Sequence, residues 1–449
     1  MVQEQAENCD AIVVGGNVAG MVVAYLLGQL GYATKLLEKQ PALGGMDRSF
    51  SNRNGRVFDF GLHVLDALRT EVVTKLFRYV VDDDVHETER RRGIVLRNHM
   101  IPYNAAPGDW PEELRALWPD GDLIDELGEA PPTRDALSRC YGERFAGMIF
   151  DEVLASYPSE TRQLDFGVDE SRLLTNIYPW FFPRARRVGV TKNLSRKYHD
   201  GKRAGGKEVF LYPRRGGFGA FAEGFRKKLV GLGVEVLTDI PDLHFEMEPA
   251  KQHVSWVTAR GRRFRAPRVF WCAPVGILYR LLSIPVSELK PDQFVLGSFE
   301  FSRPLDCAYH ELILGDPQHF INRMSFPGKI GRTTDNLVQL EFAYPRHAPG
   351  KFVTDESFWK DCWLASLRKL GIVHDTNELV DFDLKTVPLV YNCFGIEGRE
   401  MPEVELGELH PESNLRPVLP SVRNININTR VPQFLEFLTA ELTGPGTPR

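Results

Sequence analysis

The sequence predicts an α/β fold built on a Rossmann-like βαβ dinucleotide-binding unit, discontinuous along the chain and joined to a mixed helical and antiparallel-sheet domain. Three observations carry this. A branched apolar run, Ile12 to Val14, has the composition of a buried parallel strand and stops at Gly15-Gly16. Apolar residues then recur at helical spacing from Gly20 through Leu30. A second strand, Thr34 to Leu37, ends in Glu38, 23 positions after Gly15, where a carboxylate can accept both hydroxyls of an adenosine ribose.

Each part of the unit has a physical task. Gly15, Gly16, Asn17, Ala19 and Gly20 make the turn and the helix start, whose N–H groups and partial positive charge suit a pyrophosphate. Asn17 stands where the fingerprint has its second glycine. Asn tolerates left-handed dihedrals, and its amide is expected to donate to a phosphate oxygen. Glu38 and Lys39 form the ribose end. Gly44 and Gly45, after Pro41, permit close backbone approach to a ligand.

The composition excludes several classes. The chain has 449 residues, 43% hydrophobic and 26% charged, enough for two or three domains with a large core. A net charge of −5 argues against nucleic acid as the main partner. Six scattered cysteines show no metal-ligand spacing, so no metal is expected and the thiols read as reduced. The polar N-terminus is not a signal peptide, and no apolar run is long enough to span a bilayer. The expected setting is cytoplasmic.

Further along, Gly55 to Asp66 reads as a short strand broken at Gly61 and carrying His63. Gly93 to Asn104 is a strand-turn piece, and Leu137 to Leu154 has helical apolar spacing. Residues 184 to 207 hold nine basic side chains against one acid, Asp200, which suits a solvated loop or a lid meeting an anionic substrate. A glycine turn with Gly216, Gly217 and Gly219 starts an amphipathic helix to Leu229. Strands follow at Val234 to Leu237, Val254 to Thr258 and Val269 to Cys272. Phe294 to Tyr344 is strand-rich, with alternation in LGSFEFS and LVQLEFAY, and a helix covers Asp355 to Leu370.

The dinucleotide fingerprint, the Gly44-Gly45 pair and the stretch Phe58-Asp59-Phe60-Gly61-Leu62-His63 resemble the FAD-dependent amine-oxidase and protoporphyrinogen-oxidase superfamily. Within it the chain is most similar to UDP-galactopyranose mutase-like flavoproteins. The resemblance implies FAD as the resident cofactor. It also implies an FAD domain from residues 1–70, 205–290 and 405–449, with a substrate domain from 71–204 and 291–404. Arg430 and Gln433 match the turn and final helix that face FAD, although the family's glycine is Thr429 here. Arg323, in Phe320-Ile321-Asn322-Arg323, and Tyr391, in VPLVYNCF, fall at active-site positions. The family's Trp-Gly-Arg element reads Tyr157-Pro158-Ser159, so its diphosphate-binding arginine is missing.

Three functions stay open on this reading. One is ring isomerisation of a sugar nucleotide through flavin N5, with His63, Arg323 and Tyr391 as catalytic residues and NAD(P)H as a candidate reductant. Another is an FAD oxidoreductase that takes a hydride from a small molecule. The third is a degraded cofactor site with a binding or scaffold role, suggested by Asn17 and Thr429.

Overall fold

The computed structural model describes residues 7–66, 71–102, 110–117, 138, 142–148, 209–283, 292–344, 354–375, 378–389, 410, 412–418 and 439. Four of the predicted strands and one the sequence reading did not single out, Leu415–Pro417, assemble into one parallel sheet. Its strand order is Glu235–Leu237, Thr34–Leu37, Ala11–Val14, Val269–Trp271, Leu415–Pro417. Ala11–Val14 and Thr34–Leu37 are buried along their whole lengths; the first is an apolar run, and in the second the buried Lys35 is paired with Glu7 and Glu235.

Two layers cover this sheet. On one face lie the helices Val18–Gln29 and Gly219–Gly231, whose Met21, Val22, Phe221 and Phe225 share a core with Val13 and Leu36. On the other face an antiparallel meander, His244–Glu248, His253–Ala259 and Arg262–Arg265, packs Val257 and Phe264 onto Ile12, Val14 and Trp271. The alternation of inner and outer residues along the sheet strands feeds both cores.

A second, seven-stranded sheet has the order Leu379–Leu389, Asp292–Phe301, Leu337–Tyr344, Arg323–Ser325, Glu311–Leu314, Arg92–Leu96, His99–Pro102. It is antiparallel except where Glu311–Leu314 runs parallel to Arg92–Leu96. Its two faces differ chemically. One carries Val295, Phe299, Val338, Leu340 and Met324 and is covered by helix Glu356–Lys369 through Trp359 and Trp363. Gly297 is required there, because a Cβ would meet the Trp363 ring at 2.1 Å. The opposite face carries Ser298, Glu300, Gln339, Glu341, Arg323, Ser325 and Glu311. Most of these polar residues are buried.

The element boundaries depart from the sequence reading in two places. The first helix starts at Val18, ahead of the expected Gly20, because Asn17 caps it. Of Leu137 to Leu154, only Glu143–Gly147 is a described helix, and most of the rest lies outside the described residues. Among the described residues no helix is long and apolar enough to cross a membrane, and no cluster of His, Cys, Asp or Glu is placed to hold a metal.

Candidate cofactor cradle and active-site wall

The cradle is shaped by what its glycines exclude. Gly15 has φ +100°, and a Cβ there would lie 2.7 Å from the Ala273 nitrogen. A Cβ on Gly20 would lie 1.8 Å from the Gly15 carbonyl oxygen, so the helix can approach the first strand only with hydrogen at that position. Asn17 sits in extended backbone, φ −73°, rather than the left-handed region expected for it. Its Oδ1 accepts the Gly20 N–H at 3.1 Å and its Nδ2 donates to the Cys272 carbonyl at 2.7 Å. Asn17 thus caps the helix and ties it to Cys272, and the N–H groups of Val18 and Ala19 remain the open donors of the first turn.

Glu38 lies at the mouth of the same turn. Its Oε2 accepts the Gly16 N–H at 2.7 Å and its Oε1 accepts the Gln40 N–H at 2.7 Å. Lys39 is exposed beside it. Gly44 and Gly45 follow at φ +110° and +58°, and the Gly44 N–H donates to the Gly16 carbonyl at 2.7 Å. Gly15, Gly16, Asn17, Ala19, Gly20, Glu38, Gly44 and Gly45 thus meet in one backbone-lined hollow. A Cβ at Gly16 would strike Leu43 at 2.5 Å and the Glu38 side chain at 3.0 Å. Such a hollow fits a dinucleotide, whose pyrophosphate needs backbone amides at close range.

Behind the cradle, Asp59 ties four segments together. Its Oδ1 accepts the Ser49 hydroxyl at 2.6 Å and the Phe218 N–H at 2.9 Å, and its Oδ2 accepts the Tyr212 hydroxyl at 2.8 Å. Burial pushes its pKa up, while the Ser49 hydroxyl, nearby His63, Tyr212 and the Phe218 amide pull the other way. Gly217, φ +67°, has no room for a side chain, since a Cβ would lie 2.6 Å from Asp59 Oδ1. The glycine turn and the Phe58-Asp59 strand are therefore one hydrogen-bonded unit.

That unit aims the segment Gly61 to His63 at the polar face of the seven-stranded sheet. The Gln339 amide donates to the Asp59 carbonyl at 2.7 Å, and the Leu62 N–H donates to Glu341 Oε1 at 2.9 Å. His63 Nδ1 donates to the Gly61 carbonyl at 2.9 Å, its Nε2 lies 3.5 Å from Asp47 Oδ1, and its ring is 5.6 Å from that of Phe218. A ring with Nδ1 protonated presents Nε2 as an acceptor, or pairs with Asp47 when charged.

Arg323 stands on the polar face beside Glu341. Its guanidinium contacts the buried Glu341 Oε2 at 2.8 and 2.6 Å, which balances its charge inside the protein. Next to it Glu311 accepts from Arg90 at 2.6 Å and Arg92 at 3.0 Å. Burial alone would raise the Glu311 pKa, but Arg90, Arg92 and Arg323 outweigh it and hold the carboxyl at about 2. Glu300, further along the face, accepts from Asn52, Asn54 and Arg56. Tyr391, Arg430, Gln433, Thr429, Ser159 and the basic stretch 184 to 207 lie outside the described residues.

The residues that organise this wall, Asp59, Tyr212, Gln339, Glu341 and Glu311, were not singled out for function in the sequence. One signal was available. The alternation of LVQLEFAY puts Gln339 and Glu341 on the face opposite Val338 and Leu340. Two buried polar residues side by side on one strand face mark a hydrogen-bonded interface.

The comparisons with known proteins agree with this geometry. Residues 13–80 match the family model described as an NAD(P)-binding Rossmann-like domain. Over 166 residues the chain is 38% identical to amine oxidase [flavin-containing] B of Rattus norvegicus. That match takes in 35% of this chain and 31% of the rat enzyme, so the chain spans under a third of that relative's length. A protoporphyrinogen-oxidase-like protein of Exiguobacterium sp. 255-15 superposes with a TM-score of 0.64 at 15% identity, covering 98% of this chain and 99% of that one. This chain has the fold of the FAD-dependent amine-oxidase and protoporphyrinogen-oxidase-like flavoproteins. Reduced UDP-galactopyranose mutase shares the fold too, with a TM-score of 0.60 at 15% identity over 86% of this chain and 85% of that one. The sequence-level match is to an amine oxidase and not to the mutase.

Proposed function

We propose that this chain is an FAD-dependent oxidoreductase of the amine-oxidase type. Bound FAD would accept a hydride, a proton with its two electrons, from a C–H bond of a small organic substrate, and oxygen or another acceptor would take the two electrons on. The chain's own residues supply the setting. The backbone amides of Val18 and Ala19 suit the pyrophosphate, and Glu38 suits the adenosine ribose. Glu341 holds Leu62, and with it the Gly61 to His63 segment, against the sheet.

The observation that carries this reading over ring isomerisation is the Arg323–Glu341 pair. A mutase needs cations for the diphosphate leaving group, and Arg323 is already matched by a buried carboxylate. An oxidoreductase needs only the flavin, a fitted pocket and an acceptor, so the pairing does not weaken it. The local identity to an amine oxidase supports the same choice. Partners are accordingly a small-molecule substrate and an electron acceptor.

The two chemistries differ in where electrons go. Purified protein carrying oxidised flavin is mixed anaerobically with a panel of primary and secondary amines, and the visible flavin band is followed. Bleaching by one of them, with recovery on admitting oxygen, is the expected result. The proposal fails if only dithionite-reduced protein is active, converting a sugar nucleotide to its ring isomer with no net electron transfer.

A further inference from the structure

At the end of the seven-stranded sheet where strand Leu337–Tyr344 begins, an open cleft of about 690 Å³ is lined by Thr88, Arg91, His310, Lys329, Arg332 and Asp335, among others. Leu337 precedes Glu341 by four residues, roughly 13 Å along an extended strand, so the cleft is separate from the Glu341–Leu62 contact, while its His310 and Arg91 adjoin Glu311 and its partners Arg90 and Arg92. Nothing in the cofactor chemistry uses it. Its volume falls within the usual range for small-molecule sites.

The cleft is built around a histidine kept neutral by burial and by nearby cations. The His310 backbone N–H donates to the Arg91 carbonyl at 2.8 Å, and the Arg91 N–H donates to His310 Nδ1 at 3.0 Å. With Nδ1 accepting, the neutral ring carries its proton on Nε2 and is a hydrogen-bond donor there. Burial first, then the charges of Arg91, Lys329, Arg90 and Arg332, push its pKa down to about 4. Those four cations surround one imidazole. Two of them keep donors to spare. Among the described residues the exposed Arg91 guanidinium has no carboxylate or hydrogen-bond partner. Arg332, exposed and held in left-handed backbone at φ +51°, makes one bond at 3.0 Å, to the Glu87 carbonyl. Lys329 donates to the Cys307 carbonyl at 2.6 Å and lies 3.9 Å from Asp335. In the cleft wall, Thr88 is 8% exposed and its hydroxyl has no partner.

We propose that this cleft is a second ligand site, which takes a phosphoryl group carried on a small organic body. Three side-chain cations and a neutral imidazole N–H match a tetrahedral group with several acceptor oxygens better than a planar carboxylate. The carboxylates of Glu89 and Asp335 at the same cleft disfavour a longer polyphosphate by like-charge repulsion. The volume beyond a single phosphoryl group accommodates the organic part, against the exposed Pro304 and Ala308.

The test uses the flavin-loaded full chain at low ionic strength, titrated calorimetrically with inorganic phosphate, phenyl phosphate and phenol. Phosphate and phenyl phosphate are expected to bind, phenyl phosphate more tightly, and phenol not at all. Arg91→Gln and Arg332→Gln should each weaken phenyl phosphate by about tenfold or more, the loss of one charge-assisted contact. Arg226→Gln, on a distant helix surface paired with Glu223, should change nothing. Arg91 has no described side-chain partner to lose, so an altered melt cannot account for its effect. Absence of heat with both phosphates, or an unchanged affinity in Arg91→Gln, overturns the proposal.

Discussion

In the cradle, the polar groups are backbone amides left open by glycines and one asparagine cap. On the inner face of the seven-stranded sheet they are charged side chains closed on one another: Arg323 on Glu341, Arg90 and Arg92 on Glu311. The cradle leaves donors facing outward and its stability rests on close packing. The sheet face leaves few donors open and its stability rests on electrostatic balance. The first is therefore sensitive to volume, and the second to charge and pH.

The largest expected effect breaks the cradle through volume. Gly20→Ala sets a Cβ against the Gly15 carbonyl, a backbone atom that cannot swing away. We expect a loss of about 3 kcal/mol or more, read as a collapse of the thermal transition and failure to retain flavin. A Gly20→Ala protein with unchanged melting and flavin content would mean the helix has room to move.

A comparable effect on the sheet face should appear only with acid. Glu311 has its folded pKa at about 2, below its ordinary 4.5. Between those values the unfolded chain binds the proton first, so the stabilisation is fully present above about pH 4.5 and is lost as pH falls toward 2. Its size is about 3 kcal/mol. Urea unfolding at pH 7 and pH 3 should show wild type losing more stability on acidification than Glu311→Gln does. Equal losses in the two proteins would place the acid sensitivity elsewhere.

The smallest effect on the fold sharpens the contrast. Glu38→Ala removes acceptors from the Gly16 and Gln40 amides at a partly exposed site, a change of about 1 kcal/mol. Flavin retention during extended dialysis should nevertheless fall sharply, because the ribose loses its carboxylate. Retained flavin at full occupancy would remove Glu38 from the cofactor site.

The same contrast explains what the chain discloses before it folds. Ala11–Val14 is legible because a buried parallel strand needs an apolar run, and Gly20 because close helix packing forbids a side chain. Both requirements are local. The partner of the Asn17 amide, the Cys272 carbonyl, was not legible because it lies far along the chain. The partner of Arg323 was hidden for a related reason. The resemblance places Arg323 near the site, but only the register against Leu337–Tyr344 shows Glu341 beside it. Charges whose partner is set by sheet register are the least readable part of this sequence.

The order of the parallel sheet also governs how the protein can be made. Ile12 pairs with Lys35 on one side and Val269 on the other, and Val269 in turn pairs with Leu415. During synthesis the first two strands therefore emerge early and wait, with one apolar edge uncovered, until the ribosome has delivered most of the chain. An unpaired edge of this kind is open to wrong partners for as long as translation lasts. Early release of the nascent chain before residue 415 would yield a protein whose cofactor half is present in sequence and incomplete in space.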